Sequence, residues 1–195
     1  MKRIVFLAII AITLFACNSN KPSENQNKGG DNQILTQANS ETTSTASSAA
    51  TPFSIEEIVN QYLQIKNGLA NDNGAEAADG GNAFVESIAR IDINSLSSEK
   101  KKIWEDIYSD AKEMAEHIGE NAGKLEHQRE HFEILSKDMY DLVKAFGSKQ
   151  VLYKYFDSMY NNGKGAFWLN ETKEIKNPYM GKAMSNSGTL EEEIK

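Results

Sequence analysis

Three histidines and one methionine have the residue types and the spacing that a transition-metal site requires. His127 and His131 are one helical turn apart, so both imidazoles can point the same way. His117 lies in the preceding helical segment, near Met114, and an antiparallel helix pair would bring these two residues alongside. Imidazole and thioether together suit copper better than calcium or magnesium. The alternative is that these are ordinary histidines at the edge of a helical core, because two histidines often have this spacing by chance.

Other methionines follow in the C-terminal part of the chain, where the helical periodicity ends. Met159, Met180 and Met184 could bind Cu(I) through sulfur, or they could fill gaps against the helices. Met114 and Met139 fall on apolar helix stripes and are more simply explained as packing residues.

The common catalytic motifs are absent from the sequence. There is no phosphate-binding glycine loop, nucleophile elbow, zinc-protease helix or dinucleotide fingerprint. Acidic groups such as Glu56–Glu57 and Glu191–Glu193 are most simply solvated faces or helix caps. We therefore expect a protein that is not an enzyme.

Four segments carry apolar residues at helical spacing, which predicts a mainly α fold. Short connections between them favour an up-and-down four-helix bundle. A Ser54–Glu57 capping box marks the first helix start, and Gly147 lies where the last helix should end. The predicted segments are residues 55–70, 75–91, 98–118 and 125–146.

After Gly147 the pattern changes to β-forming residues. Residues 151–156 and 166–169 are two such runs, and residues 161–165 between them form a turn cluster. Pro178 forces the residue before it into an extended or turned backbone. We therefore expect a small irregular or two-stranded C-terminal cap folded onto the bundle.

The N-terminus predicts the compartment. Lys2 and Arg3 precede an apolar run over residues 4–16, which fits a secretory signal and is too short to span a bilayer. The run ends at Ala16–Cys17, which resembles the bacterial lipobox, where the cysteine thiol is lipidated. We expect residues 1–16 to be removed and the lipid on Cys17 to anchor the protein in the cell envelope, at the outer membrane and facing the periplasm. The alternative is a plain secretory signal with a chance cysteine.

Composition divides the remainder of the chain. Residues 17–52 hold almost no large apolar side chains after Cys17, which predicts a disordered tether leading to a folded domain at 53–195. The formal net charge of −7 argues against a nucleic-acid partner.

Several stretches of the sequence carry a family resemblance: Tyr62–Leu69, Gln128–Phe132, Leu135–Ser136, Met139–Tyr140, Gly165–Leu169, Ile175–Tyr179, Gly181 and Met184. Through them the domain from about Ile58 to Ile194 is similar to the family named domain of unknown function 3347. The similarity implies an envelope lipoprotein, because family members are such proteins or are attached to membrane-fusion subunits of copper and heavy-metal efflux systems. It also implies an efflux-associated partner.

Two departures from the family pattern concern metal ligands. Where the resemblance implies a Cys-Pro-Met triplet, this chain has Asp157, Ser158 and Met159. Where it implies a second cysteine after Met184, this chain has serine. Both thiolates, the strongest ligands for Cu(I), are therefore missing.

Two hypotheses follow from the resemblance. In the first, the protein binds Cu(I) or another soft metal weakly through Met159, Met184 and His131, with Asp157 as an oxygen ligand in place of a thiolate. In the second, the domain is a metal-free interaction module that docks on an envelope or efflux protein. Its C-terminal signature would then be structural and would lock the cap on the bundle, through Trp168, Asn177, Pro178, Tyr179 and Gly181.

Overall fold

The computed structural model describes residues 53–195, which form four long helices followed by a small antiparallel sheet. The predicted signal peptide, Cys17 and the tether lie outside the described residues. Within residues 53–195, no helix is both long enough and apolar enough to cross a membrane. The elements are α1 (Glu56–Ala70), α2 (Gly74–Ala89), α3 (Ser98–Glu120), α4 (Leu125–Phe146), β1 (Leu152–Asp157), β2 (Ala166–Asn170) and β3 (Thr189–Ile194).

The predicted helices are confirmed, but the capping box at the start of α1 is not. Ile55 is the N-cap residue and no side chain caps the helix, while Ser54 Oγ only accepts the N–H of Glu56 at 3.3 Å. Glu57, which would have closed the box, instead pairs with Arg90 at 2.7 Å. Ile55 is 2% exposed, so packing of its side chain in the core fixes the start of the helix.

Small residues let the backbones of α2 and α3 approach closely. A Cβ atom added to Gly81 would lie 2.7 Å from the carbonyl oxygen of Ala115 and 2.8 Å from the amide nitrogen of Gly119. Gly81 of α2 therefore permits this close helix contact. This contact holds the C-terminal half of α3, which carries His117, in a fixed position.

The C-terminal cap is a sheet of three strands in the order β2-β1-β3, with both pairings antiparallel. The prediction of an irregular or two-stranded cap missed β3. Residues 191–193 are all glutamates. The sequence alone favours a solvated segment there, because the lysines that pair with these glutamates are distant in sequence. In the structure they pair with lysines of neighbouring elements, at 2.9 Å for Lys154, 2.8 Å for Lys144 and 3.3 Å for Lys173.

Buried polar contacts join the cap to the helices. The hydroxyl of Tyr62 on α1 accepts the N–H of Leu169 at 3.0 Å and lies 2.9 Å from Ser136 Oγ on α4. Lys66 Nζ, also on α1, donates to Asn170 Oδ1 at 2.7 Å and to Glu171 Oε2 at 2.6 Å. The sheet is thus fixed to two helices at once.

Candidate metal site

The connection between α3 and α4 brings the three histidines to one end of this helix pair. The buried Gln128 locks the connection, since its Nε2 donates to the carbonyl oxygens of Gly74 at 2.9 Å and Ile118 at 3.0 Å. His117, near the end of α3, therefore lies beside His127 and His131, near the start of α4.

The histidine cluster, defined as His117, His127 and His131, offers one nitrogen from each ring with all three within 4.8 Å of one another. His127 Nε2 and His131 Nε2 are 3.1 Å apart, and the rings of His117 and His131 stack with centroids 4.5 Å apart. The sequence left open whether these residues converge, and in the structure they do.

The spacing of the histidine cluster fits a metal ion. Two nitrogens that each lie about 2.0–2.1 Å from a tetrahedral ion are about 3.3 Å apart. The Nε2 atoms of His127 and His131 are already close to that separation. His117 is 42% exposed, so its ring can turn at the surface to complete the set.

Burial favours the metal-binding form of the innermost ring. Burial of His131, followed by the neighbouring His127 and His117, lowers the pKa of its imidazole. A lowered pKa keeps the ring neutral near pH 7, and neutral imidazole is the form that binds metals.

Each histidine also has a partner outside the cluster. Glu130 Oε2 lies 3.5 Å from His127 Nδ1, and Glu113 Oε1 lies 3.8 Å from His117 Nε2. For His131 the partner is Met114, whose Sδ is 3.4 Å from Nδ1. Such partners orient ligands in known metal sites. The sequence analysis missed both glutamates, although each lies three or four residues from its histidine on the same helix.

The structure does not join the other predicted ligands to the histidine cluster. Within residues 53–195, no hydrogen bond links His131 to Met159 or Met184. The two methionine side chains are 48% and 41% exposed, so neither is sealed in apolar packing. Metal binding by this set stays a prediction.

The buried carboxylate of Asp157 accepts hydrogen bonds from several residues of the cap. One carboxylate oxygen accepts the N–H of Met159 at 2.7 Å, and the other accepts the side chains of Asn177 and Ser187. Three donors thus surround the carboxylate, and it is 2% exposed. Its predicted role as a replacement metal ligand would require at least one of these bonds to break.

The residues of the predicted structural signature are buried. Trp168 and Asn177 are fully buried, and Tyr179 donates its hydroxyl to the carbonyl oxygen of Phe167 at 2.7 Å. Asn177 Oδ1 accepts the N–H of Tyr179 at 2.8 Å, which folds the segment around Pro178. Gly181 has a φ of 57° and lies against Asp72 and Arg129, so a side chain there would clash.

Comparison with known proteins gives a family match over the helical part of the domain. Residues 58–151 match the family described as Protein of unknown function (DUF3347). The match confirms the predicted family resemblance. It covers all four helices, apart from the first two residues of α1, and ends before β1, so the histidine cluster lies inside it and the cap lies outside. No curated protein matches the chain significantly, and no solved structure does so either.

Proposed function

We propose that residues 53–195 form a non-enzymatic metal-binding domain of a lipid-anchored envelope protein, with the ion held by the histidine cluster. The convergence of three imidazoles at the α3–α4 end supports this proposal above all. The Nε2 atoms of His127 and His131 are 3.1 Å apart, close to the separation of two nitrogens that bind one tetrahedral ion.

Copper is the metal we propose. Imidazole ligands suit copper, zinc, nickel and iron, and the affinity of a given site for divalent ions is highest for copper. The family resemblance points the same way, since it implies an association with copper efflux. With three neutral ligands and two rings about 40% exposed, we expect weak binding that permits exchange.

The placement in the envelope rests on the sequence. A signal peptide over residues 1–16, a lipid on Cys17 and a tether to residue 52 would hold the domain on the periplasmic face of a membrane. We also propose that the helices form an up-and-down bundle, because α1 packs on α2, α2 on α3 and α3 on α4.

A copper titration of the purified protein tests the proposal. Cu(I) would be titrated against a chromophoric chelator, and Cu(II) followed by its visible absorption, for the natural sequence and two double variants. We expect one ion per chain, with binding reduced at least 100-fold by His127→Ala/His131→Ala and unchanged by Met159→Ala/Met184→Ala. Binding lost only in the methionine variant would instead place the metal on the cap.

A second candidate function is the metal-free interaction module that docks on an envelope or efflux protein. The observation that favours it is the role of Asp157, which stands where the family resemblance implies a thiol and makes buried hydrogen bonds instead. Absence of copper binding in every variant, together with a crosslinked envelope partner, would support this candidate.

A further inference from the structure

The two nitrogens of His131 face different partners. Nε2 points at His127 Nε2, 3.1 Å away, where the proposed ion would bind. Nδ1 points at Met114 Sδ, 3.4 Å away. Because the two ring nitrogens point in different directions, the sulfur and an ion on Nε2 lie on opposite sides of the ring. In this arrangement the thioether is not a ligand of the ion that the histidine cluster would hold.

We propose that Met114 is the positioning residue of this site, a role that rests on the proposed function. Its sulfur accepts the Nδ1–H of His131, which selects the tautomer whose Nε2 lone pair is free and aims that lone pair at the ion. Thioether sulfur is a weak acceptor, but within residues 53–195 it is the only hydrogen-bond partner of this Nδ1.

The surroundings make Met114 suited to this task. The residue is 8% exposed and lies on the apolar stripe of α3, five residues before the close contact at Gly119 and beside Ala115. Because packing already orders the Met114 side chain, its sulfur can orient the His131 ring with little further loss of side-chain entropy. The partners of the other two histidines are glutamates that are 63% and 69% exposed and therefore hold their rings less tightly.

Three substitutions at one position separate positioning from packing. Met114→Leu keeps the volume and removes the acceptor, Met114→Gln restores an acceptor on a side chain of similar length, and Met114→Ala removes both. We expect Leu to weaken copper binding about tenfold or more, which is typical for loss of an outer partner. Gln should bring the affinity back to within about threefold of the natural protein, although it fits an apolar stripe less well than Leu.

Two spectroscopic measurements complete the test. In the metal-free protein, long-range ¹H–¹⁵N correlation spectra should show His131 as the Nδ1–H tautomer, and Met114→Leu should shift it toward the Nε2–H form. In the copper-loaded protein, X-ray absorption should show nitrogen neighbours and no sulfur. Circular dichroism and thermal unfolding would verify that each variant folds.

The outcomes distinguish this inference from the proposed function. If the natural protein binds no copper, the proposed function fails, while the tautomer spectrum still tests the role of Met114. An Nε2–H tautomer in the natural protein overturns the inference. So does a copper–sulfur distance that disappears in Met114→Leu, because Met114 would then be a ligand. Equal losses in Leu and Gln would reduce its role to packing.

Discussion

Asp138 on α4 is an ionisable residue whose surroundings oppose its charge. Its Oδ2 atom is buried and has no hydrogen-bond partner within residues 53–195. Burial, followed by the nearby Asp110 and Asp141, raises the pKa of this carboxyl to about 7, against 3.8 for an ordinary aspartate. The folded protein therefore keeps a proton on Asp138 that the unfolded chain releases.

This difference in pKa predicts how stability depends on pH. Between about pH 4 and pH 7 the folded state binds more protons than the unfolded state, so the contribution of Asp138 to stability is lost as pH rises. Asp138→Asn should raise the free energy of unfolding at pH 8 by about 1–2 kcal/mol, after discounting for partial exposure. Below pH 4 the gain should disappear. Urea unfolding at both pH values measures it.

Asp79→Asn is the matched control, because Asp79 is exposed on α2 and is not among the groups that raise the pKa of Asp138. It should change stability by only a few tenths of a kcal/mol at either pH. An equal gain in both variants would mean that general charge reduction, and not the burial of Asp138, sets the effect.

At the scale of elements, the contact between α1 and the loop after β2 depends on a buried ion pair. Lys66 is fully buried, and Glu171 lies 2.6 Å from its ammonium group. Burial lowers the pKa of Lys66 while Glu171 opposes that change, so the lysine relies on this carboxylate to stay charged.

Removing one partner should therefore cost more than removing both. Glu171→Ala leaves a buried ammonium group with only Asn170 as a partner, and we expect a loss of about 3 kcal/mol. Lys66→Met/Glu171→Ala replaces the charge with an apolar side chain of similar length and should recover at least half of that loss. Chemical unfolding of both variants, with the exposed Glu174→Ala as control, gives the comparison. A double variant less stable than Glu171→Ala would contradict it.

The elements differ in how far their sequence reveals them. The four helices were predictable because apolar residues at steps of three and four report burial on one face. The third strand was not, because its glutamates are matched by Lys144, Lys154 and Lys173, and such pairing over long sequence separation leaves no local pattern. The predicted capping box was wrong for a similar reason, because Glu57 forms an ion pair with Arg90, which is distant in sequence.

At the scale of the whole domain, the helices and the cap share one core. Tyr62 of α1 stacks on Phe132 of α4 with ring centroids 5.0 Å apart, and Phe132 lies 5.8 Å from Tyr179 of the cap. Tyr179 in turn contacts the Trp168 ring at 6.0 Å. A continuous aromatic core of this kind predicts that the two parts unfold together.

The two tryptophans allow a direct test of that cooperativity. In a Trp104→Phe variant, fluorescence reports only Trp168 of the cap, while circular dichroism at 222 nm reports chiefly the helices. We expect the same denaturant midpoint from both probes, which is the mark of a two-state transition. A lower midpoint for fluorescence would show that the cap unfolds separately.

The candidate site was only partly predictable, because it depends on how distant elements meet. The spacing of His127 and His131 indicated one face of a helix, whereas the approach of His117 depends on the turn after α3 and on Gln128. The position of the Met114 sulfur, next to Nδ1 of His131, cannot be predicted from sequence spacing.

The packing of Phe53 shows at which end the chain enters the domain. Its ring contacts Phe146 and Trp104, with centroids 4.9 Å and 5.8 Å away, so the chain enters the domain where α3 begins and α4 ends. His117 lies thirteen residues beyond Trp104 along α3, a rise of about 20 Å. Under the proposed lipid anchor, the imidazoles occupy the end remote from the point of attachment. A copper carrier would then reach the imidazoles without contacting the end of the domain at which the tether joins.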